Sequence, residues 1–158
     1  MVDTEGLDSP GVRQDYNWVL SAFVLLICNT FVYQTISSID ASAIERLGVI
    51  LRVAEQLRGG ASSSMHGTEG KDLPTFMWLL RDHHLKMQQS TPKDEMLDKL
   101  DKPAIQALQR FFKSWDCYPL PRPLDNEQDL GQIEKMDFDH LASKFKEEYV
   151  IFERFLYR

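Results

Sequence analysis

The centre of the chain carries Phe76-Met77-Trp78-Leu79-Leu80-Arg81-Asp82, an apolar run that stops abruptly at an arginine–aspartate pair. Consecutive apolar residues of this length predict a short strand from Thr75 to Leu80, buried on both faces as strands of parallel sheets are. In an open α/β sheet, ligands bind at the carboxyl ends of the strands. Because Asp82 follows the strand directly, its carboxylate is expected at that edge.

Helices and strands alternate on either side of this strand. Residues Trp18 to Leu26 predict an apolar helix, and the β-branched and aromatic run from Thr30 to Ile36 predicts a strand. Asp40 is placed to cap the next helix, which the glycines at 59 and 60 end. The remaining expected elements are short helices starting at Thr91-Pro92 and at Pro103, an extended segment from Cys117 to Pro121, and a long amphipathic C-terminal helix. This alternation predicts an α/β domain whose mostly parallel sheet, of three or four strands, is flanked by helices.

The composition limits the class of protein. The 158 residues amount to about one domain, 43% of them hydrophobic and 27% charged, with a net charge of −6. Binding to nucleic acid depends on Lys and Arg neutralising phosphates, so no nucleic-acid partner is expected. Cys28 and Cys117 lack paired spacing, which favours two buried thiols in a reducing compartment over a disulfide.

An uncharged stretch from Tyr16 to Ile39 is long enough to cross a bilayer. Polar residues interrupt it, and its truly apolar part, Trp18 to Ile27, is too short for a span. We therefore interpret it as a buried helix running into a buried strand and expect no transmembrane segment. A membrane-associated protein that uses Trp18 to Tyr33 stays an alternative, which recovery only in detergent would favour.

The carboxylate of Asp82 suits guanine recognition. It can accept two parallel hydrogen bonds, one from the ring N–H and one from the exocyclic amino group of the base. Adenine lacks this donor pair and would leave a desolvated carboxylate unpaired, which sites of this kind reject strongly. The alternative is that Arg81-Asp82 is a solvated strand end.

A second pattern, Asp3-Thr4-Glu5-Gly6, lies near the start of the chain. An aspartate at a strand end can hold Mg²⁺ through a water molecule, and a glycine amide can approach a γ-phosphate because no Cβ blocks it. Loss of that phosphate would release the loop that follows, from Leu7 to Asp15. On its own, Asp-x-x-Gly also occurs in ordinary surface turns.

In their order and spacing, these segments resemble the guanylate-binding protein family of large GTPases, in the dynamin superfamily. Asp3-Thr4-Glu5-Gly6-Leu7 is similar to the third GTPase motif of that family, and Trp78-Leu79-Leu80-Arg81-Asp82 to its arginine–aspartate guanine motif. The related atlastin-type GTPases share the arginine–aspartate motif, but the preceding Trp78 favours the guanylate-binding side. The resemblance covers nearly the whole chain and implies a P-loop-NTPase-like G domain.

The resemblance also implies a division of the chain into functional segments. It places the third GTPase motif and its switch in residues 1–15, a mobile loop in 61–72, the guanine-motif strand in 75–82, a guanine-cap-like segment in 124–137 and a helix in 138–158.

Roles for individual residues follow from the same resemblance. Asp82 would read guanine with support from Arg81, and Arg122 would lie at the base of the guanine cap. Asp3 would be near Mg²⁺ and Gly6 near the γ-phosphate. The family implies GTP binding and hydrolysis, a homodimer formed through the nucleotide face, and a cytoplasmic location, with peripheral membrane association left open.

One family feature is missing: Gly-x-x-x-x-Gly-Lys-Ser/Thr occurs nowhere in the sequence. The parts that it supplies account for most of the positioning and charge stabilisation in phosphoryl transfer. We therefore expect the chain to be the C-terminal half of a G domain and to contain no catalytic residue. Alone, it is expected to bind GTP weakly or not at all and not to hydrolyse it. Met1-Val2 is interpreted as the end of a strand in a truncated sequence.

The alternative function is a non-catalytic interaction module, a truncated pseudo-GTPase that pairs with full-length relatives. The other chemical candidates are weaker. His83 and His84 are adjacent at a strand end and would point to opposite sides, which is poor geometry for a metal. Cys117 has no base suggested by the sequence, so a buried thiol is expected in place of a nucleophile.

Overall fold

The computed structural model describes residues 14–60, 73–84 and 88–157. Its helices are α1 (Gln14–Ile27), α2 (Ala41–Gly60), α3 (Pro92–Lys99), α4 (Lys102–Phe111), α5 (Glu127–Leu130) and α6 (Ser143–Leu156). Its strands are β1 (Thr30–Ile36), β2 (Thr75–Arg81) and β3 (Ser114–Leu120), and short 3-10 helices lie at Ile133–Lys135 and Phe138–His140.

Within the described residues the strands form one sheet in the order β1-β2-β3. The amide of Thr75 donates to the carbonyl of Asn29, and that of Lys113 to Pro74, so the strands start together. At the opposite edge Ser37 donates to Arg81 and His83 to Leu120. The first residues of neighbouring strands are hydrogen-bonded to each other, and so are the residues at their ends, so the sheet is parallel. The predicted α/β class is confirmed.

The central strand β2 is buried from Phe76 to Leu80, as a strand covered on both faces must be. Its neighbour β1 instead alternates: Phe31 and Tyr33 are buried, whereas Val32 and Ile36 are exposed. Pro119 lies in β3, at an edge of the described sheet, where a residue without an N–H costs no ladder bond.

Side chains and prolines set the helix starts that the sequence predicts. The Asp40 carboxylate accepts the Ala43 amide at 2.7 Å at the start of α2. The Asp101 carboxylate accepts the Ala104 amide at 2.8 Å at the start of α4. The Thr91 hydroxyl accepts the Asp94 amide at 3.1 Å beside Pro92, the first residue of α3. Each contact satisfies an N–H that has no partner inside its own helix.

The chain forms two compact units, and each strand begins in the first and ends in the second. In the first unit α2 packs against α1 and α4. An aromatic cluster also lies there, with ring centroids 5.0 Å apart for Phe76 and Phe112 and 6.3 Å apart for Phe31 and Phe112.

In the second unit, residues of β2, β3 and α6 share a core. Its buried members are Met77, Leu79, Leu120 and Phe152. The Tyr118 hydroxyl donates to Glu148, with 2.7 Å to Oε2 and 2.9 Å to the backbone carbonyl, which fixes α6 to β3. Burial and then this hydrogen bond raise the pKa of Tyr118, so the phenol stays a donor.

The first helix is not buried all round, contrary to the sequence-based interpretation. Tyr16, Val19, Phe23 and Ile27 are 63%, 48%, 55% and 61% exposed and recur at helical spacing on one face. Among the residues of α1 whose burial the structure describes, the buried ones are Asn17, Ser21, Ala22 and Leu25. The small side chains of Ser21 and Ala22 on the buried side allow a close neighbour. The uncharged, apolar run did not show which face of the helix is covered.

Two segment boundaries also differ from the expectation. The segment 138–158 is not one helix: Phe138–His140 is a 3-10 turn, and Leu141 and Ala142 are extended before α6 begins at Ser143. The Ala142 amide donates to the Pro123 carbonyl at 2.9 Å instead of to the preceding turn, which separates the two helices. The first helix begins at Gln14, so it includes the last residues of the segment 1–15 assigned to the switch.

The expected mobile loop at 61–72 lies outside the described residues. The segment 124–137 contains α5 and one 3-10 helix. None of the helices in the described ranges is long and apolar enough to cross a membrane.

The role of α6 in the second core can be tested by truncating one side chain. Phe152 is 7% exposed, so Phe152→Ala should lower the free energy of unfolding by about 3–5 kcal/mol. The adjacent Ile151 is 54% exposed, and Ile151→Ala should change it by no more than about 0.5 kcal/mol. Urea unfolding of both variants gives the comparison; equal losses would contradict the described packing of α6.

Cys117 makes stability depend on pH. Burial, and then the charges of Asp116 and Glu95, raise the pKa of its thiol from 9.0 to about 12. A folded-state pKa above the unfolded one favours the protonated, folded form, so this contribution is present below about pH 9 and lost as pH rises toward 12. The wild-type protein should therefore lose more stability than Cys117→Ala above about pH 9, by about 1.4 kcal/mol per pH unit. Urea unfolding at two pH values measures this difference, and parallel losses in both proteins would contradict it.

Candidate functional site

The carboxyl ends of the three strands meet at one edge of the sheet. Ser37 follows β1, Asp82 and His83 follow β2, and Leu120 ends β3. The Ser37 amide donates to the Arg81 carbonyl at 2.6 Å, and the His83 amide donates to the Leu120 carbonyl at 3.1 Å. Residues distant in sequence are thereby fixed around Asp82, at the sheet edge where α/β proteins bind ligands.

Two residues at this edge have left-handed backbones although neither is glycine. Asp82 has φ 55° and Ser37 has φ 65°. Aspartate is among the residues that tolerate this region, because its short side chain can hydrogen-bond locally. Such conformations persist only where surrounding contacts impose them, and they cluster at functional sites.

The conformation of Asp82 changes the direction of the chain at the end of β2. The side chain is half-buried, between an exposed Arg81 and a half-buried His83. The Asp82 carbonyl lies 2.9 Å from Nδ1 of the exposed His84. The strand thus ends in a turn at Asp82, directly after the buried run.

Beneath this turn, Trp78 joins β2 to β1. Its indole Nε1 donates to the Thr35 hydroxyl at 2.9 Å, and that hydroxyl is 3.2 Å from the Ser38 carbonyl, to which it donates. The indole also meets the Tyr33 ring edge-on, with centroids 5.2 Å apart. A fully buried donor is satisfied, and the same hydroxyl holds the turn after β1.

The segment that leads from the site to α3 is held by one carboxylate. Glu95 accepts the amides of Gln89 and Gln88 at 3.0 and 2.9 Å and lies 3.8 Å from the Lys99 ammonium. The two amides, more than the charges of Lys99 and His83, hold the pKa of Glu95 below its usual value. An ionised Glu95 therefore orders the backbone before α3.

The predicted site residues fall into two groups. The strand end carries Arg81 and Asp82, and Arg122 follows β3 closely, half-buried with a buried Nε. The residues Asp3, Thr4, Glu5, Gly6 and Leu7, and with them the magnesium site expected near Asp3, lie outside the described residues. Within the described ranges no three His, Cys, Asp or Glu side chains form a group that could hold a metal ion.

Sequence reasoning missed the parts played by Thr35, Ser37 and His83. A signal for Ser37 was available, because it follows β1 as Asp82 follows β2, and parallel strand ends meet at one edge. The hydrogen bond between the His83 ring and the Ser37 carbonyl depends on the turn at Asp82. A hydrophobic pattern in the sequence therefore could not predict it.

Comparison with known proteins identifies the family. The model of the guanylate-binding protein N-terminal domain matches residues 1–158. The chain belongs to this family. Guanylate-binding protein 6 of Homo sapiens is 28% identical over 180 residues, and guanylate-binding protein 1 of Homo sapiens is 27% identical over 182. Guanylate-binding protein 4 of Mus musculus is also 28% identical.

These alignments include 99% of this chain but only 28% to 30% of each relative. The chain therefore spans less than a third of the length of the relatives it matches.

The left-handed backbone of Asp82 predicts an order of stabilities. Alanine is disfavoured in this region, so Asp82→Ala should unfold about 1–2 kcal/mol more easily than Asp82→Gly or Asp82→Asn. Asparagine tolerates the conformation, so Asp82→Asn should stay close to the wild type. Urea unfolding of the three variants tests the order, and an alanine variant as stable as the asparagine one would contradict the strain.

Proposed function

We propose that the chain is the guanine-recognising part of the G domain of a large GTPase, with Asp82 as the reader of the base. The proposal rests on the position of Asp82, because the chain belongs to the guanylate-binding protein family. Asp82 lies at the carboxyl end of the central strand, in a left-handed conformation imposed by both neighbouring strands.

The chemistry of recognition follows from the carboxylate. Guanine would donate its ring N–H to one Asp82 oxygen and its amino group to the other. Hydrogen bonds to a charged group contribute about 1.5–3 kcal/mol each, and the bidentate arrangement adds directionality. Adenine offers no such donor pair, so its binding would bury the carboxylate without partners.

The other roles in this proposal rest on the family resemblance. Arg81 supports Asp82, and Arg122 lies at the base of a cap over guanine that residues 124–137 form. Asp3 approaches Mg²⁺ through a water molecule, and Gly6, within Asp3-Thr4-Glu5-Gly6-Leu7, approaches the γ-phosphate.

We also propose that the chain corresponds to the C-terminal half of the G domain and supplies recognition and the switch. In this proposal the catalytic groups for hydrolysis are not among the residues of this chain. The protein forms a homodimer through its nucleotide face and is located in the cytoplasm.

The decisive experiment exchanges the base specificity. In Asp82→Asn the amide keeps one acceptor and replaces the other with a donor. GTP affinity should fall by at least about tenfold, since one charge-assisted hydrogen bond is lost. Xanthosine triphosphate, which has a carbonyl in place of the amino group, should bind the variant better than it binds the wild type.

Isothermal titration calorimetry of the full-length protein with GTP and with xanthosine triphosphate measures both affinities. Asp98→Asn is the matched control, because Asp98 is an exposed aspartate on α3 and should leave both affinities unchanged. An Asp82→Asn variant with wild-type preference for GTP would exclude Asp82 as the reader.

A further inference from the structure

The hydrogen bonds of Ser37 depart from the parallel ladder in one place. In a parallel pair, a residue donates its N–H to one residue of the neighbouring strand, and its carbonyl accepts from the N–H two residues further along. Ser37 donates to the Arg81 carbonyl at 2.6 Å, so its own carbonyl should accept the backbone N–H of His83. That amide instead donates to Leu120 on the opposite side of β2, at 3.1 Å.

The side chain of His83 takes the place of the missing amide. Its Nδ1 lies 2.7 Å from the Ser37 carbonyl. A carbonyl has no proton to give, so Nδ1 carries the hydrogen and donates it. The other ring nitrogen, Nε2, is buried and meets no hydrogen-bond partner among the described residues, so the one directed bond of this ring is the one to Ser37.

The left-handed turn at Asp82 explains the exchange. At φ 55°, the peptide between Asp82 and His83 is rotated out of the alternation of β2, so the His83 amide points toward β3. This leaves the Ser37 carbonyl without its ladder donor, and an unpaired half-buried carbonyl costs free energy. The His83 imidazole supplies the hydrogen bond that the Ser37 carbonyl would otherwise lack. Asp82 can therefore be left-handed without leaving that carbonyl unpaired.

Asp82 is consequently clamped on both sides. The Arg81 carbonyl before it is bonded to β1, the His83 amide after it is bonded to β3, and the His83 ring is bonded back to β1. The two peptide groups that determine the Cα–Cβ direction of Asp82 are thus fixed by neighbouring strands. A bidentate contact needs its two oxygens placed within a fraction of an ångström, and such precision comes from supporting contacts of this kind.

We infer that His83 is a positioning residue for guanine selectivity, acting through the Nδ1 hydrogen bond that holds Asp82 in its left-handed conformation. The inference rests on the proposed function of Asp82. It assigns to His83 no contact with the nucleotide.

Three substitutions separate the hydrogen bond from the bulk of the ring. His83→Asn places an amide nitrogen the same number of bonds from Cα as Nδ1, so it can donate to Ser37. His83→Gln places its amide one bond further out, and His83→Phe keeps a ring without a donor. Only the asparagine variant should retain the clamp.

The readout is the ratio of GTP to inosine triphosphate affinity, measured on the protein at its natural length. Inosine lacks the amino group, so the ratio reports the second of the two hydrogen bonds to Asp82. His83→Phe should lower this ratio by about tenfold, the worth of one charge-assisted hydrogen bond. His83→Asn should restore it to within about threefold of the wild type, and His83→Gln should not.

The outcomes distinguish the inference from the function on which it rests. A purely structural role would lower both affinities in proportion, so an unchanged ratio in His83→Phe would overturn the inference alone. A wild-type protein with no preference for GTP over inosine triphosphate would overturn the proposed function of Asp82, and the inference with it.

A measurement without nucleotide covers the case in which His83→Phe does not fold. Nitrogen-15 NMR of the wild-type imidazole should show the proton of the neutral ring on Nδ1. A neutral ring protonated on Nε2 could not donate to Ser37 and would overturn the inference.

Discussion

The buried indole N–H of Trp78 is the constraint on which the rest of the sheet edge depends. A donor at the centre of the second strand must find a partner, and the Thr35 hydroxyl of the first strand is that partner. Shifting the pairing of the two strands by one residue would turn Thr35 to the opposite face and break its hydrogen bond with the indole. The register is therefore set, and with it the position of Ser37 opposite Asp82. The left-handed turn also needs the third strand, because the His83 amide donates to the Leu120 carbonyl.

At the carboxyl ends of the strands, uncharged backbone groups make most of the described hydrogen bonds. The bonds around Asp82 are made by amides, carbonyls and one imidazole, while Arg81 and His84 are exposed. The described backbone hydrogen bonds around Asp82 are made by the residues on either side of it. Further along the chain, Glu95 accepts the amides of Gln88 and Gln89 and so organises the loop before α3. Asp82 is the carboxylate that we propose as the reader of guanine.

The sequence predicts elements well where one local rule dominates. The bounds of β1 are confirmed, as is the capping of α2 by Asp40, because β-branched runs and helix caps act over a few residues. The exposed face of α1 was missed, because hydrophobicity does not show which side of a helix has a neighbour. The break before α6 was missed because it depends on the distant Pro123 carbonyl. Asp82 was predicted from its place after an apolar strand, but the clamp of Ser37 and His83 is a tertiary contact that no single segment encodes.

The order in which the chain is synthesised acquires a meaning from the hydrogen bond between His83 and Leu120. Among the described strands, β1 leaves the ribosome before β2 with Asp82, and β3 follows both, while domains fold as units during synthesis. Until Leu120 has emerged, the His83 amide lacks the acceptor on β3 that it has in the folded structure. With β1 and β2 alone, the parallel pattern would pair that amide with the Ser37 carbonyl. The third of the described strands therefore supplies the acceptor that goes with the final form of the second.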